Sequence, residues 1–212
     1  MSKPSFARSM RAVGFLTVSL CISCQSAGAG RNGDGFVSAY GFEMDVSTDW
    51  VALTKDTIQE VLAEGEKHLP ESANREVLAQ VAETIKKGDM EMLMNFEAAD
   101  ARFTDNINIL RAYGEIPTST ADVMAGCRMF GQQLSTAYGR KARVHECGAA
   151  EVAGRRAMFS KFEGIVPDTS SSQYHVPSGR SRFVTITATY ANSRASKLEA
   201  EFERIIGSVR FP

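Results

Sequence analysis

The sequence predicts an α+β domain in which helices flank a mostly antiparallel sheet, an α/β/α sandwich. Segments with the two-residue period of strands follow one another along the chain, and segments with the 3.6-residue period of helices interrupt them at only three places. Runs of consecutive strands indicate antiparallel neighbours, whereas a parallel sheet needs a helix between each pair. Residues 36–212 of the 212-residue chain are numerous enough for one domain with its own core.

The first part of this domain reads as one strand followed by two helices. Residues 36–46 alternate apolar and polar side chains at Phe42, Met44 and Val46, which predicts a half-buried strand. Residues 56–66 carry Ile58, Val61 and Leu62 at helical spacing, and a second helix extends from Ser72 to Gly88.

The rest of the domain reads as strands around one long helix, with a helix at the end. The alternation of Met90, Met92 and Met94 predicts a strand that turns one face to the core. The other predicted strands are 106–113, 142–152, 156–164, 172–177 and 182–190, and the predicted helices are 118–138 and 195–206.

Residues 1–24 have the organisation of a bacterial secretion signal. Lys3, Arg8 and Arg11 precede an apolar segment at 12–22. A helix of about a dozen residues rises only ~18 Å, short of the ~30 Å hydrocarbon core of a bilayer. The segment therefore predicts export and cleavage of the signal.

Two sites compete for that cleavage. Cys21-Ile22-Ser23-Cys24 resembles the lipobox of bacterial lipoproteins, although Cys21 stands where leucine is usual. The resemblance implies lipidation of Cys24, and Gln25 after it implies sorting to the outer membrane. The alternative is ordinary cleavage after Ala27-Gly28-Ala29. Residues 25–35 are rich in small residues and predict a flexible tether. We expect a periplasmic domain, lipid-anchored to the outer membrane.

Export bears on the two remaining cysteines, Cys127 and Cys147, because disulfides persist in oxidising compartments. A disulfide between them is the leading interpretation, and two buried thiols are the alternative. A metal site or a reactive pair with His145 is a weaker one. The formal charge of −1 argues against a nucleic-acid surface.

Other candidate reactive groups form no recognisable catalytic pattern. The histidines His68, His145 and His175 are scattered, and the predicted loop with Glu97, Asp100 and Asp105 reads as solvated. The serines at 170–172 sit in no nucleophile elbow. The sequence therefore predicts no catalytic residue, no metal site and no cofactor.

Three segments resemble the PsbP-like, or Mog/PsbP, superfamily, which includes bacterial envelope proteins of the DcrB type. They are YGFEMDVSTDW, DNINILRAY and LEAEFERIIGSVRF, and the likeness extends over most of residues 37–211. The resemblance implies an antiparallel sheet between helical layers and a role in binding other proteins. It transfers no catalytic residue. Compared with that family, the helical pair at about 56–87 looks like an insertion.

These observations predict a non-enzymatic envelope lipoprotein that binds or supports an unidentified envelope protein. The candidate surfaces are a Ser-, Pro- and Gly-rich loop at 166–181 and the helical pair. One alternative is a carrier of a small hydrophobic ligand or lipid, which needs an apolar cavity. Another is a hydrolase built around His145 or the Glu97 to Asp105 carboxylates.

Overall fold

The structure is a computed structural model that describes residues 35–66, 75–95, 103–117 and 119–212. The signal segment, Cys24, the competing site at 27–29 and the tether up to residue 34 lie outside the described residues. So do His68, Glu97 and Asp100. Within the described ranges, none of the helices has both the length and the apolar character to cross a bilayer.

The described elements alternate along the chain much as the sequence predicts. The strands are β1 (Phe36–Ser38), β2 (Phe42–Met44), β3 (Trp50–Leu53), β4 (Met90–Asn95), β5 (Asn106–Tyr113), β6 (Val144–Val152), β7 (Arg155–Glu163), β8 (Thr169–Gly179) and β9 (Arg182–Ala191). The helices are α1 (Ile58–Glu66), α2 (Arg75–Lys86), α3 (Thr120–Tyr138) and α4 (Ala195–Gly207). Both α1 and α2 lie within the predicted segment 56–87, and their status as an insertion stays a prediction.

Seven of the strands form one sheet, in the order β3-β4-β5-β9-β8-β7-β6. Every neighbouring pair is antiparallel, so the predicted sheet is confirmed. The β6–β7 connection is a two-residue turn, because Val152 pairs with Arg155. Both of its residues, Ala153 and Gly154, have positive φ angles of 52° and 69°, as a turn that matches the twist of the strands requires.

One face of the sheet, the α4 face, packs against α4 and the β1–β2 hairpin. Its largest cluster joins core residues of the central strands to one side of α4. Its buried members include Leu93, Ile107, Ile109, Val176, Val184, Ile186, Leu198, Phe202, Ile205 and Ile206. The apolar stripe predicted for the last helix is the side of α4 that packs on the sheet.

The opposite face, the α3 face, is covered at its two ends by different helices. At one end, α1 and α2 pack on Met90, Met92 and Met94 of β4. At the other end, Phe130 and Leu134 of α3 pack on β6 and β7. Helices therefore flank the sheet on both sides, and the predicted sandwich is confirmed.

The N-terminal segment differs from the prediction of one strand over 36–46. It forms the hairpin β1–β2, in which Phe36 pairs with Met44. Gly41 turns the chain with a φ angle of +83°, a conformation that costs glycine little. The strand β3 was not predicted, because four residues are too few to show a period.

The segment 166–181 is not the surface loop that its composition predicted. It contains β8, which lies between β9 and β7 inside the sheet. Ser171, Ser172 and Gln173 are buried there. Composition misleads at this point because polar side chains can lie inside a sheet when their neighbours satisfy their hydrogen bonds.

The methionine strand β4 is buried on both faces rather than on one. Glu91 lies on the side opposite the methionines, yet it is only 4% exposed. Its carboxylate accepts hydrogen bonds from Ser38 Oγ at 2.5 Å and from the Ala39 backbone N–H at 2.9 Å. A buried carboxylate thus fastens the β1–β2 hairpin to the sheet.

Asp105 is also buried, which makes the prediction of a solvated carboxylate wrong. Its oxygens accept hydrogen bonds from Arg194 Nε at 2.7 Å, Arg194 Nη2 at 2.9 Å and the Ala191 N–H at 3.0 Å. A bidentate guanidinium–carboxylate pair is strong and directional. It ties the start of β5 to the junction between β9 and α4.

The predicted pairing of Cys127 and Cys147 is present in the structure. The disulfide joins α3 to the edge strand β6, with a Cα–Cα distance of 5.7 Å. Cys127 lies on the side of α3 that packs on the sheet, beside the Phe130–Phe162 contact. The bond therefore fastens a helix that already packs on the strands beneath it.

We predict that Asp105→Ala lowers the free energy of unfolding by about 3 kcal/mol, because it breaks a buried ion pair and removes the acceptor for the Ala191 N–H. Urea denaturation followed by circular dichroism measures the change. The matched control is Glu83→Ala, which removes only the exposed pair with Lys86 and should cost less than about 0.5 kcal/mol. Equal losses in the two variants would contradict the assignment.

The disulfide should contribute about 3 kcal/mol to stability, because it closes a loop of 20 residues in the unfolded chain. We expect Cys127→Ser/Cys147→Ser to unfold at a correspondingly lower urea concentration. Reductant should destabilise the unmodified protein and leave the double variant unchanged. Reductant that alters both proteins equally would show that the bond is not the cause.

Candidate functional site

A strip of polar side chains crosses the middle of the α3 face, between the end covered by α1–α2 and the end covered by α3. We call it the polar strip. Its members come from four adjacent strands and are Asn106, Asn108, Ser160, Ser171, Gln173, His175, Thr185, Thr187 and Thr189. Buried sheet faces are usually apolar, so this concentration of polar groups marks the strip as the candidate site.

The sequence periods of β8 and β9 produce the strip. In β9, Thr185, Thr187 and Thr189 alternate with apolar residues of the α4 face. The pairing register then sets Thr187 between Asn108 of β5 and Gln173 of β8. Successive side chains of a strand point to opposite faces, so the polar positions of neighbouring strands line up.

Hydrogen bonds between neighbouring strands satisfy most of the strip. Gln173 Nε2 donates to Thr187 Oγ1 at 2.8 Å, and the hydroxyls of Ser171 and Thr189 share a hydrogen bond of 3.0 Å. On β5, Asn108 Nδ2 donates to Asn106 Oδ1 at 3.2 Å and Asn106 Nδ2 to the Thr104 carbonyl at 2.9 Å. These bonds offset the cost of burying hydroxyl and amide groups.

Two buried atoms of the strip have no hydrogen-bond partner among the described residues. They are Asn108 Oδ1 and Ser160 Oγ. Both belong to one row across the sheet, Asn108–Thr187–Gln173–Ser160, and they lie at its two ends. Buried polar atoms without a protein partner are commonly satisfied by water or by a polar group of a ligand.

His175 completes the strip as a neutral side chain. Its Nδ1 and the Thr185 hydroxyl share a hydrogen bond of 2.9 Å, and its ring and that of Phe183 make a T-shaped contact. Burial lowers the pKa of His175 from its ordinary 6.5 to about 4, because desolvation disfavours the charged imidazolium. All members of the strip are therefore uncharged at neutral pH, which suits hydrogen bonding better than acid–base chemistry.

The predicted site around His145 does not form. Cys127 and Cys147 are consumed by the disulfide. A β-bulge between Val144 and Glu146 breaks the alternation of β6, so that Val144 packs beside Cys147 while His145 is exposed. In the described part of the chain, no group of three potential ligands is close enough to hold a metal ion.

The serine cluster at 170–172 is engaged in structural hydrogen bonds. The hydroxyls of Ser172 and Tyr190 share a hydrogen bond of 2.9 Å, and Tyr190 donates to Glu199 at 3.0 Å. Glu199 also pairs with Lys161 at 2.6 Å. Burial is the main reason that the pKa of Tyr190 is raised. Ser172 is buried. Because Glu199 belongs to α4 and its partners belong to strands, this network links α4 to the sheet.

Sequence reasoning overlooked the polar strip. The available signal was the recurrence of threonine at every second position of β9 and of serine and glutamine in β8. Alternation alone would have assigned those polar positions to solvent. Their burial in the folded chain is a tertiary property that alternation does not show.

His175 should make stability depend on pH. The unfolded imidazole binds its proton below about pH 6.5 and the folded one only near pH 4, so the free energy of unfolding should fall as pH drops through this window. Since one pKa unit is about 1.4 kcal/mol, the loss is on the order of 3 kcal/mol at most. His175→Gln should flatten this dependence in urea titrations between pH 7 and pH 4. His145→Gln, at an exposed position, should not, and equal slopes in all three proteins would refute the role of His175.

Comparison with known proteins identifies the fold. No family model matches the chain, and no curated protein matches it. The solution structure of cyanobacterial PsbP (CyanoP) from Synechocystis is similar over 89% of this chain and 99% of that one, at 10% identity and a TM-score of 0.55. The Saccharomyces cerevisiae Ran-binding protein Mog1p is similar over 82% of this chain and 93% of its own, at 10% identity and a TM-score of 0.48. The chain has a PsbP-like fold, as its resemblance to that superfamily predicted.

Proposed function

We propose that this protein is a non-enzymatic accessory domain of the bacterial cell envelope that binds a partner protein. In this proposal residues 1–24 direct export, lipidated Cys24 anchors the chain to the outer membrane and residues 25–35 act as the tether. The folded domain then supplies the surface for the partner.

The disulfide between α3 and β6 carries the compartment part of this proposal. Disulfides of this structural kind form and persist in oxidising compartments such as the periplasm. In the cytosol Cys127 and Cys147 would stay reduced. Their Cα atoms are 5.7 Å apart, a distance suited to a disulfide. The signal segment that precedes the domain supports the same compartment.

The engagement of the candidate reactive groups supports binding over catalysis. Asp105 is paired with Arg194, Ser172 is bonded to Tyr190, and both described cysteines are joined to each other. The ion pair, the hydrogen bond and the disulfide of these groups stabilise the fold. The family resemblance implies protein binding as the common use of this fold.

The polar strip bears on the carrier alternative. A pocket for a lipid or another hydrophobic ligand needs apolar walls. The middle of the α3 face offers amides, hydroxyls and a neutral imidazole instead. The arrangement therefore favours a polar ligand at this position over an apolar one. Partner binding remains the leading function.

Attachment and partner binding can be tested with one pair of proteins. In a bacterial host that processes lipoproteins, the mature chain should begin at an acylated Cys24 and stay in the membrane fraction. Cys24→Ala should be released from that fraction. A mature chain that begins at Gly30 would contradict lipidation.

For partner binding, tagged protein is captured from the native envelope after detergent extraction. We expect an envelope protein in near-stoichiometric amount, which re-forms the complex from purified components. Cys24→Ala is the control, because it keeps the folded domain but lacks the lipid anchor. A protein captured only because it shares the membrane fraction should be lost with this variant. Failure to recover any specific partner would count against the function.

A further inference from the structure

Four arginines that are distant in sequence meet at one end of the sheet. Arg111 lies near the end of β5, Arg155 starts β7, Arg182 starts β9 and Arg180 lies in the turn before it. The antiparallel order brings the last residues of β5 and β8 and the first residues of β7 and β9 to the same end of the sheet. Together with the exposed Tyr113, these arginines form what we call the arginine end.

Strand alternation places most of this group on one face. Arg111 and Tyr113 follow Ile109 at two-residue spacing in β5, and Ile109 packs on the α4 face. In the same way Arg182 precedes Val184 in β9, and Arg155 precedes Ala157 in β7. Tyr113 pairs directly with Arg182 across β5 and β9. The arginine end thus continues the α4 face beyond its apolar core.

Aromatic rings, rather than carboxylates, hold two of these guanidinium groups. Arg155 lies 3.7 Å from the ring centroid of Phe211, and its Nη1 donates to the Pro177 carbonyl at 2.7 Å. Arg111 lies 5.4 Å from the ring centroid of Tyr40. Stacking of this kind orients the planar guanidinium without neutralising its charge.

The four arginines have no ion pair with any carboxylate that the structure describes, in contrast to other arginines of the chain. Arg194 pairs with Asp105, Arg210 with Asp45 and Arg140 with Glu163. Glu91 and Asp89 lie near Tyr40 together with Arg111 and offset part of the charge of Arg111, so the positive charge of the end rests mainly on Arg155, Arg180 and Arg182. Glu115 is exposed two residues beyond Tyr113, and Glu151 lies across from Arg156, on the other face of β7.

The surface is accessible and has the composition of an interface. Arg111, Arg180 and Arg182 are exposed, and Tyr113 is 63% exposed. Arginine and tyrosine are the residue types that most often dominate binding energy at protein interfaces. The end therefore combines positive charge with an aromatic anchor.

We propose that the arginine end is the docking surface for an acidic, extended segment of the partner protein. The proposal rests on the protein-binding function above. Strands β7 and β9 are two strand spacings apart, about 10 Å. That distance matches one three-residue turn of an extended polyproline II segment, in which every third side chain points to the same side. Carboxylates at that interval meet Arg155 and Arg182 in turn, and each can accept two parallel N–H bonds.

An anionic membrane fits this surface less well. The chain has 25 acidic and 24 basic residues, and Lys3, Arg8 and Arg11 belong to the signal, so the mature domain is acidic. A bilayer of anionic lipid repels a domain with net negative charge. An acidic segment that contacts the arginine end alone meets no such repulsion.

The first test uses a labelled peptide of about ten residues with glutamate at every third position, and a glutamine counterpart. The mature lipoprotein in neutral detergent should bind the glutamate peptide, more weakly as salt rises, and should not bind the glutamine peptide. Arg180→Glu/Arg182→Glu should weaken binding by about tenfold or more. The matched control is Arg128→Glu on the exposed side of α3, which should leave binding unchanged.

Several outcomes overturn the proposal. One is failure of the unmodified protein to bind the glutamate peptide, and another is equal binding by Arg180→Glu/Arg182→Glu with an unchanged thermal midpoint. A third is binding to phosphatidylglycerol vesicles without binding to the peptide, which assigns the surface to membrane. If the double variant still captures the envelope partner, this inference fails and the proposed function stands. If the unmodified protein captures no partner, the proposed function itself fails.

Discussion

Strict two-residue alternation in β5, β9 and β8 is the constraint on which the rest of the structure depends. In β9 it sends Val184 and Ile186 to the α4 face, and Thr185 and Thr187 to the α3 face. A slip of one residue would exchange the two sets. Threonines would then lie under α4, and apolar side chains would replace the hydrogen-bonded polar strip. One pairing register therefore determines both the apolar core on the α4 face and the polar strip on the α3 face.

Two specific links hold the helical layers to this sheet from opposite sides. The Asp105–Arg194 pair fixes the junction that leads into α4, and the Cys127–Cys147 disulfide fixes α3 over β6. Each link reinforces apolar packing that is already present, at Phe202 on one side and Phe130 on the other. These layers bury the central strands, whereas the ends of those strands at Tyr113 and Arg182 are exposed.

That division explains why recognition is assigned to an end of the sheet. The faces are occupied by α4 and the hairpin on one side, and by α1–α2 and α3 on the other. At the arginine end the strands emerge from under these layers, and their last side chains are charged or aromatic. Arg155 shows the transition, because its guanidinium covers Phe211 at the margin of the core while its strand continues inward to buried Ala157.

The sequence by itself determined the fold class, most of the strands and helices, and the cysteine pair, because periodicity and an even cysteine count are local properties. It did not reveal the β1–β2 hairpin, the buried state of Asp105 or the position of β8 inside the sheet. The burial of Asp105 and the position of β8 depend on partners far along the chain, Arg194 for Asp105 and Thr187 for Gln173. The hairpin pairs locally, but Glu91 holds it on the sheet. Only the tertiary structure decided that the arginines of β5, β7 and β9 share one end, since pairing order is what brings distant strand termini together.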